Sequence, residues 1–282
     1  MSALADVASL LCCPRCAAGV EVTGGALRCE QGHSYDIARQ GYVNLLSKPA
    51  GAAADDAAMV SARAQVLESG VYSPILQALV EVVSGLSLPD GAVIDIGAGT
   101  GYYTAGVLDA LPDRLGVALD LSAYAARRCA RAHPRLAGLV ADVWAGIPVR
   151  DNAAALVMDV FAPRNAPEFE RVLSPGGVVV VATPAPEHLT ELVTRLGLPR
   201  VDPRKAERLA EVFARFSTGP VRQVREALSV DGGIASLLAR MGPGAHHAEP
   251  ADLEALAHEA CVEVTLAVDI STFTLPGAGR QG

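Results

Sequence analysis

Between residues 92 and 182 the chain repeats one device: a short, mainly apolar run, a turn, then a helical stretch. The runs fall at 92–96, 115–120, 137–141, 154–160 and 178–182. Strands that are apolar on both faces and separated by helices predict a parallel sheet covered on both sides. Helices are expected at 104–111 and 123–132, and at 58–70 and 72–86 ahead of the first run. Gly70 is placed to end one of these, and Pro74 to sit in the first turn of the next. Past the fifth run, 222–228 and 262–273 read as two last strands around a helix at 234–241, which makes a mixed sheet of seven strands.

The first run leads straight into Gly97-Ala98-Gly99-Thr100-Gly101, with a helix behind it. Glycines let the backbone turn tightly and approach a ligand without Cβ interference. The spacing is G-x-G-x-G rather than the G-x-G-x-x-G that seats a pyrophosphate on a helix N-terminus. An acid, Asp95, precedes it within the strand, where it could organise the amino end of a methionine moiety. Asp120 ends the second strand about 20 residues past the loop, where a carboxylate accepts from ribose hydroxyls. Asp142 ends the third, where it can meet an adenine amino group. Each aspartate alone could merely cap the next helix. Three of them at successive strand ends beside one glycine loop, where such sheets bind ligands, point to S-adenosylmethionine.

Near the front stand Cys13, Cys16, Cys29 and His33, in the order C-x2-C-x12-C-x3-H. Two short-spaced pairs joined by a loop supply the tetrahedral N and S set that zinc prefers. Four protein ligands leave no open position, so the metal is expected to hold structure and do no chemistry. Cys12 is a spare thiol that competes for the place of first ligand. Leu27-Arg28 could begin the second strand of a small ribbon. The organisation that follows is a zinc-binding ribbon module at 1–36, a connecting segment and linker at 37–57, and the large domain at 58–282. Residues 47–54, small and carrying Pro49 and Gly51, read as a mobile linker.

Half of the 282 residues are apolar (51%), yet no run of about 18 is free of charge, as a membrane span requires. The first residues lack a basic region, so a secretory signal is not expected. Thiols gathered in a metal motif, with Cys129 and Cys261 alone, fit a reducing cytoplasm. The net charge of −8 argues against indiscriminate nucleic-acid binding. Two arginine concentrations stand out against it: Arg127, Arg128, Arg131 and Arg135, and a second spread from Arg195 to Arg225.

Beyond these motifs, several runs resemble the RlmA-type 23S rRNA guanine-N1 methyltransferases, and among them the tylosin-resistance branch. They include the zinc motif with its continuation Gly41-Tyr42-Val43-Asn44-Leu45, Ala62-Arg63, Ser69 to Pro74, Asp142-Val143-Trp144, Phe161-Ala162-Pro163 and Ala182-Thr183-Pro184 with His188-Leu189. The resemblance covers nearly the whole chain. It implies a Rossmann-like class I methyltransferase fold, an rRNA substrate in a hairpin near the peptide exit tunnel where macrolides bind, and a homodimer. It also implies that Tyr72, Gly99, Thr100 and His188 contact S-adenosylmethionine. Taken alone, His188 reads equally as a helix-start histidine satisfied by backbone. One departure is His246, at a position where relatives usually carry an aromatic residue.

Guanine N1 holds a proton near neutral pH, and Asp159 is the acid nearest the expected reaction edge in sequence. A strand-end aspartate can equally point away from the pocket. Phe161 and Pro163 offer flat apolar walls for a base splayed out of its hairpin. Two other functions share these motifs: a small-molecule methyltransferase for which the ribbon is only scaffold, and a non-catalytic protein that binds S-adenosylmethionine or RNA. Fold does not fix substrate.

Overall fold

A computed structural model describes residues 3–51, 54–202, 204–242, 244 and 247–276. Helix α1 (Ala3–Val7) leads into a ribbon of β1 (Val20–Thr23), β2 (Ala26–Cys29) and β3 (Ser34–Asp36), all antiparallel. The large sheet holds β4 (Val43–Asn44), β5 (Ala92–Ile96), β6 (Gly116–Asp120), β7 (Leu136–Val140), β8 (Ala154–Val160), β9 (Leu173–Pro184), β10 (Ser217–Thr218), β11 (Arg222–Val230) and β12 (Val262–Thr274). Its order runs β4-β7-β6-β5-β8-β9-β12, with β11 and β10 both on the far side of β12. Strands β4 to β9 pair in parallel, whereas β12 returns antiparallel between β9 and β11. The order reverses beside β5, so the crevice at the strand carboxyl ends opens there.

The interior strands are legible for a simple reason. Every residue of β5, β7 and β8 is buried, so each reads as an apolar run, broken only by Asp95 in β5 and Asp159 in β8. Around them pack α2 (Ala57–Glu68), α3 (Ser73–Ser84), α4 (Tyr102–Ala110), α5 (Ala123–Cys129), α6 (Ala166–Val172), α7 (Thr190–Arg195), α8 (Lys205–Val212), α9 (Gly232–Arg240) and α10 (Pro250–Ala257). Asp56, Ser122 and Asp231 cap α2, α5 and α9 by accepting from backbone N–H groups of the first turn.

Nine strands replace the expected seven, and three departures have physical causes. Strand β9 starts at Leu173, five residues early, because Leu173 pairs with Ala154 and a register shift absorbs the intervening Pro-Gly-Gly. Strand β4 arises within the connecting segment: Val43 and Asn44 pair with Leu139 and Val140 and extend the sheet edge. The end of the expected linker is held as well, since the Ser122 hydroxyl donates to the carbonyl of Asp55 at 2.6 Å.

The ribbon belongs to the core. Leu4, Val7, Leu11, Cys13 and Leu27 share one buried cluster with Ile94, Val117 and Leu119 of the sheet and with Phe169 and Phe213. Leu11 bridges Val149, and the Cys12 N–H donates to the Pro148 carbonyl at 3.1 Å. Fully burying side chains such as Leu11 and Leu27 stabilises by roughly 1.5–3 kcal/mol each. The opposite face of the sheet is covered by α2, α3, α9 and α10, through residues such as Ile75, Leu79, Leu238 and Leu256. Among the described residues no single helix is long and apolar enough to cross a membrane.

Candidate active site and metal centre

Two tight turns make the metal centre. At the first, the Ala17 N–H donates to the Cys13 carbonyl and the Cys13 N–H to the Ala18 carbonyl, both at 2.8 Å. At the second, the Cys29 N–H donates to the His33 carbonyl, and Gly32 turns back on Cys29 with φ +84°. Each turn carries one ligand pair, and all four ligand atoms lie within 4.8 Å of one another. The three sulfurs stand 3.5, 3.5 and 3.3 Å from His33 Nδ1, and Cys16 Sγ is 3.8 Å from Cys29 Sγ. A zinc tetrahedron with ordinary Zn–S and Zn–N lengths needs S···S edges of about 3.8 Å and S···N edges of about 3.6 Å. The four observed edges lie within about 0.3 Å of those values, so the donor set fits zinc. Burial pushes the Cys13 thiol up, but the Tyr35 hydroxyl at 3.2 Å and backbone N–H groups outweigh it, leaving a pKa of about 6. That favours the thiolate a metal requires. Cys12 stands outside the cluster, which resolves the choice of first ligand in favour of Cys13.

The second site is a cavity of about 430 Å³ over the carboxyl ends of β5, β6, β7 and β8, a size suited to a small-molecule ligand. Asp95, Gly97, Gly99, Thr100, Asp120, Asp142, Tyr72, Phe161 and Pro163 all line it, so the structure gathers there most of the residues picked out in the sequence. Asp120 shapes the glycine loop: Oδ2 accepts from the Gly99 N–H and Oδ1 from the Ser122 N–H, each at 2.8 Å. Asp142 Oδ1 accepts from the Trp144 N–H at 2.9 Å, and its second oxygen is left for a ligand. Asp95 is buried, and its Oδ2 accepts from the Thr104 hydroxyl while Oδ1 has no partner. Burial, and secondarily the Asp120 charge, raise its pKa to about 7 against the opposing Thr104 hydrogen bond. An orphaned buried carboxylate oxygen costs free energy until a donor reaches it.

The glycines do different work. A Cβ at Gly97, where φ is +62°, would lie 2.7 Å from the Ala162 Cβ, so this glycine admits the Phe161–Pro163 turn rather than a ligand. A Cβ at Gly101 would meet Cys129 Sγ at 2.8 Å, so its small size serves packing of the loop on α5. Gly97 and Gly99 both line the cavity, and at Gly99 a Cβ would meet only the Arg63 side chain, at 3.6 Å.

Behind the cavity wall, the Ala267 N–H donates to His188 Nδ1 at 3.2 Å. The proton of the neutral ring then sits on Nε2, which lies 3.2 Å from the Tyr72 hydroxyl and donates to it. Burial holds His188 at a pKa of about 4, so the ring stays neutral near pH 7. The Tyr72 proton is thereby left free to point elsewhere. His188 does not line the cavity; it reaches it through Tyr72 and stacks on Phe161 with ring centroids 6.0 Å apart.

Asp159, the acid expected at the reaction edge, is fully buried and does not line the cavity. Its only charged partner within 4 Å among the described residues is Arg164, at 3.4 Å. Desolvation dominates and lifts its pKa to about 8. The strand alternation turns it away from the cavity, so its placement does not support a role as base. His246 lies outside the described residues.

Sequence reasoning passed over three lining residues. Arg63 of α2 carries a charge into the cavity, with Nη1 at 2.5 Å from Asp55 Oδ2 and Nη2 donating to the Met241 carbonyl at 2.9 Å. Trp144 stands on the rim with 64% of its surface exposed. Asp55 comes from the segment read as linker. Arg63 and Trp144 belong to runs that carry the family resemblance, but a lone arginine at helical spacing and an aromatic after a strand reveal no role in the site until the fold brings them to one place.

Residues 11–50 match the family model described as RlmA, N-terminal. Over 276 residues the chain is 46% identical to the 23S rRNA (guanine(748)-N(1))-methyltransferase of Streptomyces fradiae, covering 96% of this chain and 97% of that protein. It is 43% identical over 290 residues to a putative 23S rRNA (guanine-N(1)-)-methyltransferase of Micromonospora griseorubida, covering 95% and 98%. A third relative, a putative 23S rRNA (guanine-N(1)-)-methyltransferase of Bacillus subtilis, is 30% identical over 275 residues, covering 93% and 96%.

Proposed function

The chain belongs to the family of 23S rRNA (guanine-N1)-methyltransferases, and on that premise we propose that it methylates N1 of a guanine in 23S rRNA, using S-adenosylmethionine and a structural zinc ion. The observation that carries this reading is identity along nearly the full length of the Streptomyces fradiae enzyme, ribbon and cavity together. A small-molecule methyltransferase would need only the cavity.

Cys13, Cys16, Cys29 and His33 hold the zinc. In the cavity, Asp120 receives the ribose hydroxyls and Asp142 the adenine amino group of the cofactor. The orphaned Asp95 oxygen is suited to its ammonium. Gly99, Thr100 and Gly101 shape the loop beneath it, and His188 positions the Tyr72 hydroxyl as a donor facing inward. When bound, the cofactor supplies an electrophilic methyl group on a sulfonium.

The protein's own work is alignment and exclusion of water. Phe161, whose backbone is held at φ +58° and whose N–H donates to the Ala182 carbonyl at 3.1 Å, forms with Pro163 a wall for the flipped guanine. Phe161 and Trp144 are exposed at the mouth, where flat rings favour unstacked bases. Contacts to phosphate are expected from exposed arginines without an acidic partner among the described residues: Arg15, Arg28 and Arg39 near the ribbon, and Arg127, Arg128 and Arg131 on and after α5. The second concentration is largely neutralised, since Arg195, Arg208, Arg215, Arg222 and Arg225 each pair with an acid.

The test is incubation of the purified protein with labelled S-adenosylmethionine and unmodified 23S rRNA, read by primer extension. N1 methylation blocks the Watson–Crick edge, so one strong stop beside a single guanine is expected and names the nucleotide. Cofactor binding with no label in RNA would overturn the proposal in favour of a small-molecule substrate.

A further inference from the structure

The cavity carries three carboxylates at strand ends, yet a single cationic side chain lines it among the described residues: Arg63. Its stem passes the glycine loop, with Cδ and Nη1 each 3.6 Å from the place a Gly99 Cβ would occupy. Its charge reaches Asp120, Tyr72 and Tyr103. Two contacts use part of the guanidinium, Asp55 on Nη1 and the Met241 carbonyl on Nη2, which leaves further N–H groups of its five for a ligand.

We propose that Arg63 is the anchor for the α-carboxylate of the cofactor's amino-acid end, and that Asp55 holds that position in the free protein. The inference rests on the S-adenosylmethionine reading above and deepens it. An α-amino acid presents an ammonium and a carboxylate on one carbon, and the cavity offers a buried carboxylate oxygen without a partner, Asp95 Oδ1, together with one guanidinium. Planar guanidinium groups match carboxylates in geometry as well as charge. Asp55 supplies the same chemistry from within the chain, at the end of the segment joining the ribbon to α2. Two carboxylates cannot share Nη1 without repulsion, so the ligand and Asp55 compete for it.

Calorimetry with two adenosine thioethers separates this inference from the reading beneath it. S-adenosylhomocysteine carries the amino-acid end; 5′-deoxy-5′-methylthioadenosine lacks it. In Arg63→Met, the Kd for S-adenosylhomocysteine should rise roughly 10- to 100-fold, the range of a charge-assisted hydrogen bond, while the Kd for methylthioadenosine stays within about twofold. Unchanged methylthioadenosine binding also shows that the variant is folded. Asp55→Asn should tighten S-adenosylhomocysteine several-fold by releasing the guanidinium. Equal loss of both ligands in Arg63→Met would make Arg63 a structural strut, and no loss of either would remove it from the site; both overturn the proposal. Weaker binding in Asp55→Asn would overturn the competition. If the unaltered protein bound neither thioether, the cofactor reading itself would fail, whatever Arg63 does.

Discussion

The two polar clusters of this protein are built on opposite terms. In the metal centre four donors converge on one point, each held by a tight turn, and the distances between them leave room for a single ion. In the cavity the polar groups stand apart along three strand ends, and one carboxylate oxygen, Asp95 Oδ1, is buried with no partner. The first arrangement is complete once an ion fills it and adds to the stability of a core it shares. The second is left incomplete, and the missing donors are the ligand's to bring. A closed cluster should therefore register in stability, and an open one in affinity.

The sharpest way to break that contrast is Cys16→Ser. Cys16 is exposed, so the change disturbs little packing and acts through the metal. Mass spectrometry should find zinc lost, and loss of a ligand worth about 3 kcal/mol or more should lower Tm by roughly 5 °C or more. Affinity for S-adenosylhomocysteine should stay within a few-fold, while RNA methylation falls. An unchanged Tm would mean that the ribbon does not stabilise the core it touches.

The converse is Asp120→Ala, which should weaken S-adenosylhomocysteine by about 100-fold or more by calorimetry, as expected for two lost charge-assisted hydrogen bonds. Tm should fall by only a few degrees, because the Gly99 and Ser122 N–H groups lose their acceptor. Full affinity would remove the ribose assignment.

A smaller effect sharpens the contrast within one residue. Asp95 is raised from 3.8 to about 7 by burial, so the folded protein holds its proton longer than the unfolded chain. Stability of the free protein should then decline as pH rises from about 4 to about 7. An ammonium prefers the carboxylate, so affinity for S-adenosylhomocysteine should move the other way. It should rise up to tenfold per pH unit below about 7 and level off above, and Asp95→Asn should flatten that profile. A pH-independent Kd would separate Asp95 from the ligand. The least effect is expected of Trp144→Ala. Tm should hold, because the ring is mostly exposed, while the KM for RNA should rise several-fold through lost stacking.

How much could be read in advance follows the same division. The metal ligands span 21 residues and two local turns, so spacing alone revealed them. The glycine loop and the three strand-end aspartates were legible because the sheet's periodicity fixes where a strand stops. Arg63, Asp55 and Trp144 converge only through the fold: Arg63 and Trp144 stand in runs that carry the family resemblance, yet nothing in those runs assigns either a place in the cavity. Asp159 shows the limit most clearly. Adjacency to Phe161 in sequence placed it near the reaction, whereas successive strand residues face opposite sides, and this one faces inward to Arg164. Strand β4 was hidden because a two-residue strand offers no period to detect.

The missing side chain at Gly97 has a wider reach than local sterics. Through it the loop beneath the cofactor rests directly on Ala162, in the turn we propose as the wall for the base. The two seats share one partition, with no layer of side chains between them to take up slack. A change that widens either seat must therefore crowd the other. Preference for the donor and preference for the acceptor cannot drift apart freely; the chain must retune both together or keep both.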